Sequence, residues 1–254
     1  HEQNVHAGSA NRLLKRFAAR IAVAEEPAPP QFPKGKTVVV GNPVRAEMLI
    51  EHDRAEARRY FRLKPDRLVC LCVGGSQGAA GLNQMLLDLI GRLAHLDGNG
   101  GRWQLLWSTG TNHYKPMMEA IEKMAIGPEE HALTPFIEKM GQAYAAADLV
   151  LARSGALTLA ELTALGKPSI LVPLPTSAAG HQEKNARRIE ATGAAVVLEQ
   201  DDKQGAEKLE AWLGDWAEHP EKLMTMAEAS RKLGKPGAAG ELAGVVLELA
   251  GGRR

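Results

Sequence analysis

The sequence has little of what would place it in a specialised class. Cysteine occurs twice in 254 residues, at Cys70 and Cys72. Two thiols this close make no disulfide framework, and without a second pair of ligands they make no zinc site. A reducing compartment is expected. No apolar run approaches the ~18 residues that a membrane span needs, and no charged stretch followed by an apolar core marks a secretory leader. An excess of one charge is missing too. Lys+Arg number 31 against 30 Asp+Glu, whereas dedicated nucleic-acid binders show a basic surplus. There is no internal repeat, no G-x-S-x-G and no H-E-x-x-H. Methionine is absent from the first position, which holds His1, so the chain is expected to begin inside a longer protein.

What is present is an average globular composition, 44% hydrophobic and 24% charged, with length for one large domain or up to two ordinary ones. Over residues 5–24, Leu13, Leu14, Phe17 and Ile21 recur at helical spacing, opposite Arg12, Lys15, Arg16 and Arg20. This predicts an amphipathic helix. Its basic face is either solvated or laid on an anionic membrane. A proline-rich loop over 25–36 leads to a short strand at 37–40, which ends at the turn Gly41-Asn42-Pro43. From residue 67 the pattern is regular. Apolar runs at 68–73, 103–107, 132–136, 148–152, 169–174 and 194–198 predict strands. Helical segments lie near 80–95, 114–124, 138–147, 156–165 and 181–191. Such alternation predicts an α/β fold with a parallel sheet covered on both faces. Helices continue from 202, break at Lys235-Pro236-Gly237, and end with an apolar helix over about 240–250.

Ligands of open parallel sheets bind beyond the carboxyl ends of the strands, and three loops there are chemically unusual. Gly74-Gly75-Ser76-Gln77-Gly78 follows the strand 68–73. It suits a phosphate at a helix start, although it is neither a P-loop nor G-x-G-x-x-G in frame, and a plain tight turn is the alternative. Arg153-Ser154-Gly155 follows the strand 148–152 and opens a helix at Ala156. There Glu161 has two readings. Thr158-x-x-Glu161 matches a capping box, while a helix starting at Ala156 puts Glu161 one turn in, where its carboxylate could accept from a ribose diol. The third loop, Pro173 to Gly180, runs into His181 and Gln182, which suit either a polyhydroxylated ligand or a polar helix cap.

Seven segments occur together in one order: His1-Glu2-Gln3-Asn4, Gly41-Asn42-Pro43-Val44-Arg45, Gly74-Gly75-Ser76-Gln77-Gly78-Ala79, Thr134-Pro135-Phe136-Ile137, Ala145-Ala146-Ala147-Asp148-Leu149-Val150, Arg153-Ser154-Gly155-Ala156-Leu157-Thr158 and His181-Gln182-x-x-Asn185-Ala186. In this the chain resembles, from residue 1 to its end, the MurG family of glycosyltransferases, which add GlcNAc to lipid I in peptidoglycan synthesis. The resemblance implies a GT-B fold: a complete C-terminal Rossmann-like domain plus a remnant of the N-terminal one. It divides the chain into 1–44 (tail of the acceptor and membrane domain), 45–240 (donor-binding domain) and 241–254 (a helix crossing back to the N-terminal domain). It implies an inverting transfer from UDP-GlcNAc to the C4 hydroxyl of MurNAc on undecaprenyl-pyrophosphoryl-MurNAc-pentapeptide, giving lipid II. No cofactor, metal or nucleic acid is implied, and association with the cytoplasmic face of the inner membrane is peripheral.

Carried over by position, Arg45 and the Ile137 backbone hold the uracil. Ser76 and the segment Ala156, Leu157, Thr158, Leu159, Ala160 and Glu161 take the rest of the nucleotide, with the 156–158 turn on the diphosphate and Glu161 on the ribose. Gln182 binds the sugar hydroxyls, and Asn4 approaches the sugar from the other domain. Family members carry a long acceptor-binding segment before the His-Glu-Gln-Asn motif, and the general base is expected there, so the catalytic residue is unknown in this chain. Two other readings are a UDP-sugar-binding module without turnover and a different GT-B transferase acting on a lipid. A nicotinamide-dependent dehydrogenase fits the sheet but lacks the glycine fingerprint.

Overall fold

The computed structural model describes residues 1–25, 31–75, 78–94, 100–127 and 129–251. The first helix, α1, spans only Ser9–Leu14, which corrects the helix expected over 5–24. Ile21 instead begins strand β1, Ile21–Val23, which pairs in parallel with β2, Thr37–Val39. Helical stability comes mostly from packing an apolar face. Leu13, Leu14 and Phe17 find no such partner and remain exposed, Phe17 at 82%. The β-branched pair Ile21 and Val23 is instead buried by strand pairing, with Ala7 and Phe32 beside it. Glu2 ties this lobe together by accepting from the amides of Asn4 (2.9 Å) and Gly8 (2.8 Å) and from Asn11 Nδ2 (2.9 Å). Burial opposes its ionisation, but these hydrogen bonds outweigh it and hold its pKa below the ordinary value.

Beyond α2, Arg54–Tyr60, whose N-cap Asp53 accepts from the Glu56 amide, strands and helices alternate as the periodicity predicts. They run β3 Leu68–Val73, α3 Ala80–Ala94, β4 Trp103–Ser108, α4 Tyr114–Lys123, β5 Ala132–Thr134, α5 Met140–Ala146, β6 Leu149–Ala152, α6 Ala156–Ala164, β7 Ser169–Leu171, α7 His181–Glu190 and β8 Ala195–Val197. Three helices follow: α8 Gly205–Glu218, α9 Pro220–Leu233 and α10 Ala238–Gly251. The last is the apolar helix expected over about 240–250.

The six strands β3–β8 form one fully parallel sheet in the order β5-β4-β3-β6-β7-β8. Alternate residues feed two cores, as the strand period of two requires. Cys70, Cys72, Leu105, Trp107 and Leu151 face α3 and α8. Leu71, Leu106, Val150 and Leu171 face the side of α5 and α6. The two cysteines are thus core residues, Sγ to Sγ 3.8 Å apart, and burial pushes the Cys72 thiol well up.

His131, just before β5, is built into the sheet as a neutral ring, its Nδ1 accepting from the Leu105 amide at 3.2 Å. Burial lowers its pKa to about 4, although Glu130 pulls the other way and Arg67 and Lys64 add to the depression. The unfolded ring titrates at its ordinary value, ~6.5. Between these pH values the unfolded chain binds more protons, so stability is fully present above the higher value and falls as the pH drops toward the lower. Acidification from pH 7 to 4 is expected to remove up to about 3 kcal/mol through this ring. Urea unfolding at a series of pH values should show His131→Gln flattening that slope. An unchanged slope would assign it elsewhere.

Candidate functional site

The sheet order makes β3 the turning point. The chain steps outward from β3 through β4 to β5, then returns to lay β6 on the other side of β3. The crevice beyond the carboxyl ends of these two central strands is where an open α/β sheet binds its ligand. Two of the loops singled out in the sequence flank it.

The loop after β3 needs glycine. Gly75 (φ +95°) and Gly78 (φ +77°) lie in the left-handed region, and a Cβ on Gly78 would run into the Thr109 carbonyl oxygen. Ser76 lies outside the described residues. The loop after β6 opens α6, whose N-cap Gly155 offers no side-chain hydrogen bond. The Leu159 amide is the first to bond back, to the Gly155 carbonyl at 3.0 Å. The N–H groups of Ala156, Leu157 and Thr158 therefore have no intrahelical partner, and with the helix dipole behind them they suit an anion.

Between these loops lies a cavity of about 230 Å³ whose wall includes Arg45, Gly75, Ile137, Arg153, Thr158 and Glu161. With α6 starting at Ala156 and Gly155 as its N-cap, Thr158 and Glu161 do not stand at capping-box positions, and among the described residues Glu161 accepts from no backbone N–H. Instead its Oε2 accepts from the Tyr144 hydroxyl at 2.8 Å, and its Oε1 lies 3.6 Å from Arg45 Nη2. Arg45 also pairs with Glu47 at 2.9 Å. Tyr144, on α5, is 2% exposed. Burial pushes its pKa well up, and the Glu161 charge adds to this, so the phenol stays protonated as the donor. Arg153 is held by neutral groups only: the carbonyls of Val172 (3.0 Å) and Pro173 (3.1 Å) and the side-chain oxygen of Gln200. Burial lowers its pKa. The cavity wall thus carries a guanidinium without a carboxylate among the described residues, a charge that an anionic ligand would balance.

The structure divides the other predicted site residues. Ala156, Leu159 and Ala160 point their side chains to the opposite face of α6, into a second cavity of about 270 Å³ between that helix, the β1–β2 lobe and the end of α9. At period 3.6, positions 156, 159, 160 and 163 share one face and 158 and 161 the other. The Leu159 side chain is therefore kept out of the cavity that Glu161 lines, and its N–H is spent within the helix. Leu157 is half-exposed at the first turn. Gln182, at the start of α7, accepts from the Leu174 amide through Oε1 at 3.0 Å, which leaves its amide N–H groups free of partners among the described residues. Asn4 reaches the same helix, its Oδ1 accepting from Asn185 Nδ2 at 3.2 Å. Asn185 also accepts from the Val5 amide, which joins the small lobe to α7.

Sequence reasoning missed Tyr144 and undervalued Arg153. Tyr144 stands in a run of alanines seventeen residues before its partner, on another helix, and no local spacing connects the two.

The glycosyltransferase family 28 C-terminal domain matches residues 69–242. The UDP-N-acetylglucosamine–N-acetylmuramyl-(pentapeptide) pyrophosphoryl-undecaprenol N-acetylglucosamine transferase of Desulforamulus reducens is 40% identical over 246 residues, 95% of this chain and 64% of that protein. The Bacillus subtilis protein of the same name is 36% identical over 98% of this chain and 66% of its own length. The crystal structure of Acinetobacter baumannii MurG superposes with a TM-score of 0.76 at 28% identity, covering 98% of this chain and 66% of that one. A UDP-GlcNAc 2-epimerase from Neisseria meningitidis, bound to UDP-GlcNAc, shares the fold at a TM-score of 0.63 and 14% identity. The chain spans about two thirds of the length of the curated relatives it matches. With its parallel Rossmann-like sheet and the matched domain, it belongs to glycosyltransferase family 28 and has that family's GT-B type of fold.

Proposed function

We propose that residues 45–240 form the donor-binding domain of an inverting GlcNAc transferase that takes UDP-GlcNAc and acts on lipid I to give lipid II. One observation carries the reading. The cavity of about 230 Å³ beside β3 and β6 is lined by Thr158 at the free start of α6, by Arg153, a guanidinium without a carboxylate among the described residues, and by Glu161, an acid one turn into that helix. These are the chemical complements of a diphosphate and a ribose. In this reading the Ile137 backbone and Arg45 take the uracil, the Ala156–Thr158 turn and the loop containing Ser76 take the diphosphate, and Glu161 takes the ribose. Gln182, with Asn4 across the lobe boundary, takes the sugar. Displacement at the anomeric carbon builds charge on the leaving diphosphate, and the α6 N-terminus and Arg153 are placed to stabilise it. The base that takes the acceptor proton is assigned to the part of the relatives that this chain does not span.

Residues 1–44 are read as part of the acceptor-side domain, with their own small core. The helix α10, whose Val246, Leu247 and Leu249 are exposed, is read as packing against that domain. Contact with the cytoplasmic face of the inner membrane is proposed to be peripheral. No helix among the described residues is long and apolar enough to cross a membrane, and Leu13, Leu14 and Phe17 are exposed beside Arg12, Lys15 and Arg16. Calorimetric titration is expected to show saturable one-to-one binding of both UDP and UDP-GlcNAc. A chain that binds neither nucleotide overturns the reading. Donor binding without transfer to a lipid I analogue leaves this chain a UDP-sugar-binding module.

A further inference from the structure

We infer that Tyr144 is a positioning residue: its hydroxyl fixes the Glu161 carboxylate in the plane that receives both ribose hydroxyls, and so makes the cavity select ribonucleotides over 2′-deoxyribonucleotides. The inference rests on the nucleotide reading above and adds a residue and a specificity to it.

The geometry leaves Tyr144 one polar task. Its ring is 2% exposed and packed in the core on the α5–α6 side of the sheet, and among the described residues its hydroxyl makes one hydrogen bond, to Glu161 Oε2 at 2.8 Å. Phenylalanine would fill the same space, so packing does not account for the hydroxyl. Glu161 lies on a different helix, and the torsion that turns its carboxylate is broad and unrestrained on its own. A vicinal diol offers two donors side by side, and a carboxylate accepts both only when its plane faces them. Arg45 cannot set that plane. At 3.6 Å it is beyond hydrogen-bond reach of Oε1, its side chain is 60% exposed, and it is shared with Glu47. Tyr144 can, because a phenol has few torsions and its ring is clamped by the core. Its bond occupies one site on Oε2 and leaves the remaining lone pair and all of Oε1 to the ligand.

The test is binding of UDP and of 2′-deoxyuridine 5′-diphosphate to the wild type, Tyr144→Phe, Glu161→Ala and the double variant, with thermal unfolding of each. The wild type is expected to lose about tenfold in affinity when the 2′-hydroxyl is removed. Tyr144→Phe should weaken UDP by roughly fivefold to tenfold and leave the deoxynucleotide nearly unchanged, so that discrimination collapses. The double variant should bind no worse than Glu161→Ala, because the phenol acts only through the carboxylate. A Tyr144→Phe protein that melts lower but keeps the full ribose preference assigns the hydroxyl to stability alone and overturns the inference, while leaving the nucleotide reading intact. A wild type that binds neither nucleotide overturns both.

Discussion

Glu161→Ala is expected to weaken UDP binding by roughly a hundredfold, because two hydrogen bonds to a charged acceptor are lost at about 1.5 kcal/mol each or more. The carboxylate lies in a cavity wall with a side-chain exposure of 16%, where water does not compete freely for it. The variant also strands the Tyr144 hydroxyl, whose one hydrogen bond among the described residues goes to Glu161. That should lower stability by about 1–3 kcal/mol, a loss shared by the free and bound protein and therefore absent from the binding comparison. Glu161→Gln separates the two effects. Its amide oxygen can still accept from Tyr144, so the melting temperature should stay close to wild type, while the loss of charge and of one acceptor should still cost about tenfold in UDP affinity. Calorimetry and thermal unfolding on the same samples decide the matter. If both variants hold UDP within threefold of wild type, Glu161 does not receive the ribose.

The strands and helices of the six-stranded sheet domain were legible because β3–β8 are apolar, short and spaced by helical periods. The position of the crevice followed too, since a parallel sheet admits ligands at one end only. The first twenty-four residues were not legible. Leu13, Leu14 and Phe17 carry a helical pattern, but Ile21 to Val23 gain more from pairing with Thr37 to Val39 than from extending a helix with nothing to pack on. For the site, the sequence offered Glu161 two roles, and a single fact of register, that α6 starts at Ala156 with Gly155 as its cap, removed one of them, the capping box. The same register carries Leu159 and Ala160 to the cavity behind the helix. A contiguous stretch of sequence reads as one binding segment, but a helix turns its members to opposite faces. Tyr144 stayed invisible because its partner lies on another helix.

Asp148→Ala is expected to cost about 3–5 kcal/mol of stability, the range for breaking one side of a buried ion pair and a large share of the ~5–15 kcal/mol that holds a domain together. Asp148 stood in the sequence only as a member of one of the seven segments of the resemblance; the structure gives it a mechanical role. Just before β6, it accepts from Arg58 Nη2 at 2.6 Å and from the Val69 amide at 2.8 Å, and it also pairs with Arg54. Arg58 is 6% exposed, and its other donors go to the carbonyls of Ala146 (3.2 Å) and Pro65 (2.9 Å). Lys167 lies close by, bonded to the Ala147 carbonyl at 3.0 Å, with burial lowering its pKa to about 8 while the Asp148 charge pulls it back up. Asp148→Ala takes the bonded counter-charge from the buried Arg58, a nearby charge from Lys167 and the acceptor from the Val69 N–H, while the half-exposed Arg54 turns to solvent. Urea unfolding measures the loss. A change under ~1 kcal/mol would mean that solvent reaches the cluster and screens it. The apolar replacement Arg58→Met with Asp148→Leu removes the buried charge on both sides and should recover much of the loss. Asp148 also bonds to β3 at the end opposite the ligand crevice, next to the Cys70–Leu149 pairing. If the double variant is stable but binds UDP more weakly, the carboxylate is needed to hold β3 and β6 in the register that aligns their two loops, and its contribution to function is geometric.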